Sequence, residues 1–356
     1  MSEQTDLQRA GTAAWTAEDM ESVACISCGC AAATPVVSAR DSDPNGPSTL
    51  RFQVVRCREC GLQFLNPRPT PEQLKAFYPE HYYAYENTDP IPMSRYQLFW
   101  EHLNWWTKIG LRRAFCNYPC PGGEHERWML RLILWPLWVR TVLLGLDFKI
   151  LPYRGRGRLL EIGCGTGSGL DYQRLYGFTV TGVEPSASAT HVAQTRYKLD
   201  VRVGTLPDAK FPDGSFDVVH MSHVFEHLPA PHDTLHDIRR VLDDRGVLVL
   251  KLPNIDSISA RRFGSWWLGL DLPRHLYHFT PESLGPLLEQ HGFAIEAIRH
   301  DIGSWGFWRE SRRIRARGQG TPLREAWWHT SRDQMMEVWS CWQRRGSNIV
   351  VYARKH

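Results

Sequence analysis

The chain has 356 residues, of which 42% are hydrophobic and 22% are charged, and its formal net charge is +4. This length predicts one large domain with appended modules, and the composition is ordinary for a globular protein. The small net charge gives no electrostatic reason to expect a nucleic-acid partner. Residues 1–20 are polar and mixed in charge, so we interpret them as a flexible tail without a secretory signal. Nine cysteines in such a chain indicate a reducing, cytoplasmic compartment.

Residues 21–70 carry two C-x-x-C pairs, each of which is followed by glycine: Cys25 with Cys28, and Cys57 with Cys60. This is the spacing of two zinc knuckles, in which each pair binds one side of a tetrahedral ion. Cys30 is an alternative to Cys28. Four thiolates leave no open coordination position, so we expect a structural Zn²⁺ in a zinc-ribbon-like module.

Residues 71–155 are predicted to be a helical segment that covers the ligand or substrate site. The longest apolar run of the chain, Trp128 to Leu146, lies within it and includes Arg131 and Arg140. Two arginines in hydrocarbon cost roughly 5–7 kcal/mol, so we expect a buried or interfacial helix, not a membrane span. We predict a lid or a homodimer contact, and peripheral contact with a membrane is the alternative.

Residues 156–356 alternate short apolar strands with helices, which predicts an α/β fold with a parallel, doubly wound sheet. Residues 304–345, rich in Trp and Arg, are predicted to be a helical insertion before the last strand. The predicted strands are Arg158 to Ile162, Phe178 to Val183, Asp200 to Val203, Phe216 to Met221, Gly246 to Leu252, Ala294 to Arg299 and Asn348 to Ala353.

The first of these strands runs into a glycine-rich turn with the sequence Glu161-Ile162-Gly163-Cys164-Gly165-Thr166-Gly167. The dinucleotide-binding fingerprint G-x-G-x-x-G requires its third glycine at position 168, where this chain has Ser168. The spacing in this chain is G-x-G-x-G. The charge of Glu161 would repel a pyrophosphate but would attract an ammonium group. The second strand ends in Glu184-Pro185, which places a carboxylate where it can accept hydrogen bonds from two ribose hydroxyls. A carboxylate there serves NAD equally well.

The stretches LLEIGCGTGSGL, TVTGVEPS, FPDGSFDVVHMSHVFEHLPAP and GVLVLKLPN together resemble the class I methyltransferases that depend on S-adenosylmethionine (SAM). The resemblance implies a Rossmann-like seven-stranded sheet whose last strand is antiparallel and lies between the fifth and sixth. It also implies SAM as cofactor, with Glu184 on the ribose. The SAM-contacting residues that it implies are Glu161, Gly163, Cys164, Gly165, Gly167, Glu184, Pro185, Thr205, Leu206 and Ser222.

Two groups of residues are candidates for the removal of a proton from the acceptor. His223, Glu226 and His227 follow the fourth strand at its carboxyl end, facing the ligand crevice. His275 and Tyr277 lie in the second group, Pro273-Arg274-His275-Leu276-Tyr277-His278, just before a capped helix. Histidine suits proton removal near neutral pH. We rank His275 first and His223 second as the base, with the other three in support.

The N-terminal sequence CGLQFLNPRPT, with its following tyrosines, resembles the module of bacterial methyltransferases that act on nucleotide-linked sugars and surface polysaccharides. The resemblance further implies that a His and a Tyr in the region of His275 and Tyr277 act as the base and as the residue that orients it. Some relatives bind a divalent metal through comparable Glu and His residues. We therefore expect methyl transfer to an oxygen or carbon of a small-molecule or glycan acceptor. The alternatives are an RNA methyltransferase, which would bind phosphates through the zinc module and Arg312–Arg317, and a non-enzymatic membrane scaffold.

Overall fold

The computed structural model describes residues 20–43, 50–78, 106–143, 151–322 and 327–356. The tail predicted for residues 1–20 therefore lies almost wholly outside the described residues.

The strands of the described residues are β1 (Met20–Glu21), β2 (Ala33–Ala39), β3 (Phe52–Cys57), β4 (Gln63–Leu65), β5 (Arg68–Pro69), β6 (Arg158–Ile162), β7 (Thr179–Glu184), β8 (Asp200–Val203), β9 (Phe216–Ser222), β10 (Leu242–Pro253), β11 (Tyr277–His278), β12 (Phe293–His300) and β13 (Asn348–Lys355). The α-helices are α1 (Pro71–Leu74), α2 (whose described part is 106–115), α3 (Gly123–Leu143), α4 (Ser168–Arg174), α5 (Ala187–Arg196), α6 (Pro231–Val241), α7 (Ile258–Phe263), α8 (Pro281–Gln290), α9 (Gly306–Gly318) and α10 (Trp327–Trp342).

Seven strands form the main sheet, in the order β12-β13-β10-β9-β6-β7-β8. β13 is antiparallel to both of its neighbours, β10 and β12, whereas the strands from β10 to β8 are parallel. This arrangement confirms the predicted Rossmann-like fold and the position of its last strand. The central strands β9 and β10 are mostly buried, as expected for the middle of a parallel sheet that is covered on both faces.

A second, four-stranded sheet joins the cysteine-rich region to the rest of the chain, in the order β11-β4-β3-β2. Its edge strand β11 comes from the segment that follows β10, and it pairs antiparallel with β4. Arg274, just before β11, forms ion pairs with Asp41 and Asp271, and all three side chains are buried. The cysteine-rich region therefore packs on the loop that contains His275.

Helices α2 and α3 lie at the edge of the main sheet that is opposite the glycine turn. Tyr118, which follows α2, packs edge-on against Phe178 at the start of β7, with ring centroids 5.6 Å apart. The Arg112 guanidinium of α2 lies 3.6 Å from the ring centroid of Tyr176, beyond the end of α4. The lid predicted for residues 71–155, part of which lies outside the described residues, stays a prediction.

The apolar side chains of α3 are largely in contact with solvent. Trp128, Leu132, Ile133 and Trp135 are each more than half exposed. The prediction of a buried helix is wrong, because only one face of α3 packs on α2, for example where Trp138 stacks on Phe115. Interfacial contact with a second copy or a membrane surface stays a prediction. None of the helices in the described ranges combines the length and the apolarity needed to cross a bilayer.

The insertion before β13 is helical, as predicted, and consists of a short 3₁₀ turn, α9 and α10. The buried Glu337 of α10 holds it in place, because it accepts hydrogen bonds from the Trp308 indole and from the Ser347 hydroxyl. Trp308 belongs to α9 and Ser347 precedes β13, so one carboxylate ties both helices to the sheet.

Candidate functional site

The four predicted metal-binding cysteines converge at one point. Their Sγ atoms all lie within 4.8 Å of one another, with Cys25 and Cys60 3.4 Å apart and Cys28 and Cys57 3.5 Å apart. A tetrahedral zinc ion with Zn–S bonds of about 2.3 Å requires sulfur atoms about 3.8 Å apart, so this donor set fits Zn²⁺. The Cys30 thiol instead interacts with the backbone of Ala32. Cys30 is therefore not part of the cluster.

The glycine turn brings bare backbone to the carboxyl edge of β6. Gly163, Gly165 and Gly167 all have positive φ, at 70°, 54° and 80°, which favours glycine at each position. A Cβ on Gly163 would meet Val224, and one on Gly167 would meet Ala193. A Cβ on Gly165 would meet nothing within 4 Å. Gly165 is thus the glycine of the three whose outer side is left free for a ligand.

Glu184 is buried at the end of β7 and faces the turn. Its Oε2 accepts a hydrogen bond from the Gly165 amide, and its Oε1 accepts one from the Ser186 amide, each at 2.9 Å. Both carboxylate oxygens therefore accept hydrogen bonds from backbone amides, which hold the side chain in one orientation. These hydrogen bonds hold Glu184 beside Gly165, the glycine of the turn whose outer side is free.

Glu161 lies on the other side of the turn and is also buried. Its Oε1 is 3.0 Å from Nδ1 of His220, whereas its Oε2 is buried without a hydrogen-bond partner in the described structure. Both oxygens lie beside the first turn of α4, because a Cβ on Gly169 would be 3.6 Å from Oε2 and 3.8 Å from Oε1. A buried, unpaired carboxylate oxygen is unfavourable unless a cation or donor approaches it. This position suits the ammonium group of an amino acid.

The remaining predicted cofactor residues line the same edge of the sheet. The side chain of Cys164 packs against Gly182 and the core, and its thiol is 3.9 Å from the Gly165 carbonyl. Pro185 is exposed, Leu206 is buried, and Ser222 ends β9. The Thr205 amide and hydroxyl donate to Oδ2 of Asp208, at 2.8 and 2.6 Å.

Asp208 was not predicted from the sequence to lie at this edge of the sheet. Its only local signal was the spacing Thr-x-x-Asp, which is typical of a capped turn.

The two groups of predicted catalytic residues meet at Glu226. This side chain is 1% exposed, and neither of its carboxylate oxygens has a hydrogen-bond partner within the described ranges. Oε1 lies 3.4 Å from Nδ1 of His223 and 3.9 Å from Nε2 of His275. The His275 ring also packs edge-on against His227, with centroids 4.4 Å apart. The structure thus brings four of the five candidate residues together.

The hydrogen bonds of the two candidate bases assign their tautomers. Nδ1 of His275 is 2.9 Å from the Gly269 carbonyl, which only accepts, so this nitrogen carries the proton. Nε2 of His275 therefore has a free lone pair that faces Glu226. The Asn348 amide donates to Nε2 of His223 at 3.3 Å, which leaves that ring's proton on Nδ1. His275 is accordingly the better proton acceptor of the two.

Burial keeps these imidazoles neutral near pH 7. It lowers the pKa of His227 from 6.5 to about 4, with a further contribution from the neighbouring His275 ring. Burial also lowers the pKa of His275, against the opposing effect of Asp271 and Glu226. The pKa of His223 is lowered by burial and by Lys251, although this side chain is one-third exposed. Neutral rings can accept protons, which a general base requires.

Tyr277 does not join this cluster, contrary to the prediction. Because it lies on β11, its hydroxyl points to the N-terminal sheet and accepts a hydrogen bond from Arg68 at 2.9 Å. Tyr78 takes its place, since its hydroxyl lies 2.9 Å from Nδ1 of His227. Nothing in the local sequence pairs residues 78 and 227, so this contact could not be predicted from the residues alone.

Glu226, His227 and His275 also present donor atoms within 4.8 Å of one another, so they form a set that could hold a divalent cation. Lone pairs on two imidazoles and a carboxylate repel unless a proton or a cation lies between them. A divalent cation bound here would occupy the lone pair on Nε2 of His275 that faces Glu226.

Comparison with known proteins gives one family match. Residues 146–298 match the family model described as a methyltransferase domain. The chain is 32% identical over 154 residues to a probable SAM-dependent methyltransferase of Mycolicibacterium smegmatis, covering 42% of this chain and 57% of that protein. It is 28% identical over 158 residues to a ubiquinone biosynthesis O-methyltransferase of Maricaulis maris, covering 41% of this chain and 62% of that protein.

The match spans less than two thirds of either relative. Among solved structures, a SAM-dependent methyltransferase of Thermotoga maritima is similar with a TM-score of 0.41 and 20% identity, covering 64% of this chain and all of that one. The family match contains the glycine turn, Glu184 and the Glu226 cluster, and it excludes the cysteine cluster and the helical insertion.

Proposed function

We infer that this chain, which belongs to the methyltransferase-domain family through residues 146–298, transfers a methyl group from SAM to an oxygen or carbon of a small polar acceptor. Acceptors of this class include sugars that are linked to a nucleotide or a lipid. The observation that carries the proposal is the pairing of Glu184 with the open Gly165, beside the unpartnered oxygen of Glu161. The Maricaulis relative, named for an O-methylation of a small molecule, supports an acceptor of that size.

The glycine turn and its two carboxylates fit SAM. Glu184 would hold the ribose hydroxyls, and Glu161 would neutralise the ammonium group of the methionine part. The open side of Gly165 lets the cofactor lie against the backbone. When bound, SAM supplies an activated methyl group together with its own leaving group. The protein therefore needs only to orient the acceptor and to take up its proton, and orientation alone contributes roughly 7–11 kcal/mol.

We assign proton removal to His275. Its Nε2 has a free lone pair, and the Glu226 carboxylate 3.9 Å away stabilises the imidazolium that forms when the ring accepts the acceptor's proton. His227 and Tyr78 support the ring from the other side. Because the cluster is buried, its charges interact more strongly than they would in water.

The test is methyl transfer from SAM labelled in its methyl group into a pool of small metabolites and, separately, into RNA, with products identified by mass spectrometry. We expect label in a small polar compound. Changing His275→Ala should lower this transfer about 10²–10⁴-fold, which is the usual contribution of a positioned base. SAM affinity should stay unchanged.

The matched control is His191→Ala, an exposed histidine on α5, which should transfer methyl groups like the wild type. Label in RNA but not in small molecules would refute the proposed acceptor class. Equal transfer rates for His275→Ala and the wild type would refute His275 as the base.

A further inference from the structure

A cleft of about 350 Å³ opens in the helical insertion, between α7, α9 and α10. It does not include the glycine turn or the Glu226 cluster. Its walls are aromatic on one side and basic on the other. The lining residues that matter here are Phe263, Trp308, Arg262, Arg312, Arg315 and Arg332.

The positive charge of this cleft is mostly uncompensated. Of the four arginines, Arg312 is paired with the buried carboxylate of Asp333. The ion pairs found among the described residues leave Arg262, Arg315 and Arg332 without an acidic partner. Like charges brought together around a cavity repel one another, and an anion within the cavity relieves that repulsion.

The opposite face of α9 shows a different arrangement. There, Arg309 and Arg313 both contact Glu310, with nitrogen–oxygen distances of 3.0 and 2.8 Å. The ion pairs found among the described residues thus include these two arginines but not Arg262, Arg315 or Arg332 of the cleft.

The cleft is adjacent to the candidate active site. Trp308 packs edge-on against Phe263, with ring centroids 5.8 Å apart, and forms the cleft wall. The preceding residue, Phe307, lies 6.1 Å from the ring of His223 and 6.0 Å from the ring of Trp267. The first turn of α9 thus has one side on the cleft and the other on the catalytic cluster.

We propose that this cleft binds the phosphate or diphosphate group of the methyl acceptor and so selects acceptors that carry their reacting part on a phosphate ester. Guanidinium groups bind phosphate oxygens in a bidentate manner, which suits several converging arginines. Trp308 and Phe263 offer an apolar wall to the group beyond the phosphate. This inference rests on the proposed methyl transfer, since it assigns a specificity site to that reaction.

The experiment is isothermal titration calorimetry of the full-length, zinc-loaded chain with inorganic pyrophosphate, uridine diphosphate, and farnesyl diphosphate in micelles. We expect all three to bind, since they share the diphosphate. Tighter binding of uridine diphosphate than of pyrophosphate indicates a nucleotide-linked acceptor, and tighter binding of farnesyl diphosphate indicates a lipid-linked one. Either result supports the cleft as a diphosphate site.

The test variant is the pair Arg262→Gln and Arg315→Gln. Both side chains are exposed and lack acidic partners, so their loss should leave the fold intact. We expect pyrophosphate affinity to fall at least about tenfold, as for the loss of charge-assisted hydrogen bonds. The matched control, Arg313→Gln, removes a charge from the outward face of the same helix and should keep wild-type affinity.

Titration of SAM into the wild type and each variant distinguishes failure of the diphosphate site from failure of the proposed function. Wild-type protein that binds SAM but not pyrophosphate refutes the cleft alone, whereas protein that binds neither refutes the proposed function. An equal loss of pyrophosphate affinity in Arg313→Gln also overturns the inference, because the loss would then follow from the lower net charge of the protein and not from the cleft. Binding of single-stranded RNA that depends on Arg262 and Arg315, without binding of the diphosphates, overturns it too.

Discussion

Glu226 is the residue on which the chemistry of the site depends. Its carboxylate is buried and has no hydrogen-bond partner among the described residues, although burying an unpaired charge is strongly unfavourable. His223 beside it has a φ of 56°, a left-handed conformation that costs a non-glycine residue about 1–3 kcal/mol. Two unfavourable features at one point, at the carboxyl end of a buried strand, are typical of a site that is organised for a ligand.

His278 provides a pH-dependent contribution to stability. Burial lowers its pKa from 6.5 to about 4, so between these pH values the unfolded chain binds a proton that the folded chain does not. The contribution is therefore complete above pH 6.5 and is lost as the pH falls towards 4. At pH 5 we expect a loss of about 2 kcal/mol in the free energy of unfolding from this one residue.

The measurement is urea unfolding at pH 7.5 and pH 5.0, for the wild type and for His278→Gln. The wild type should lose about 2 kcal/mol more than the variant over this interval. Release of zinc in acid affects both proteins equally, so the difference between them isolates the histidine. An identical pH dependence of the two would contradict the assignment.

At the level of elements, the structure joins the cysteine-rich region to the active site through a shared sheet. Residues of β3 and β4 pair with each other, and β4 pairs with β11. His275, the proposed base, lies two residues before β11, and the Leu65 amide donates to the Leu276 carbonyl at 2.8 Å. The four-cysteine cluster includes the last residue of β3, so a metal bound there would hold this end of the shared sheet.

We therefore expect Cys57→Ser to release the zinc and to loosen the segment that contains His275. Cys57 is the last residue of β3 and a member of the four-cysteine cluster. Metal analysis should find one zinc per wild-type chain and none in the variant, and amide hydrogen exchange should become faster in peptides that cover residues 274–278.

Cys30→Ser is the control, because the Cys30 thiol lies outside the four-cysteine cluster and forms hydrogen bonds with the Ala32 backbone. It should retain both the zinc and the slow exchange. Unchanged exchange at 274–278 in zinc-free Cys57→Ser would show that the module does not support the base.

For the whole molecule, features with local signals could be predicted from the sequence. The strand β6 and the glycine turn follow from a short apolar run and from glycine spacing, and the cysteine cluster follows from two C-x-x-C pairs. Glu184 could be placed because a strand must end where its apolar run ends. These signals lie within a few residues of the feature that they predict.

Features that depend on distant parts of the chain could not be predicted in this way. The pairing of β11 with β4 joins residues more than 200 positions apart, and it turns Tyr277 away from the cluster. The contact of Tyr78 with His227 is equally non-local. The apolar composition of α3 indicated burial, yet whether a helix is covered depends on which neighbours reach it.

The central claim is that a SAM molecule lies against Gly165 with its ribose on Glu184, and calorimetry tests it most directly. We predict that the purified chain binds SAM and not NAD. Glu184→Gln should weaken SAM binding at least about tenfold, because a neutral amide replaces a charged acceptor, while Glu289→Gln, an exposed acid on α8, should not weaken it. Binding of NAD without binding of SAM, or equal SAM affinity in Glu184→Gln and the wild type, would contradict the account.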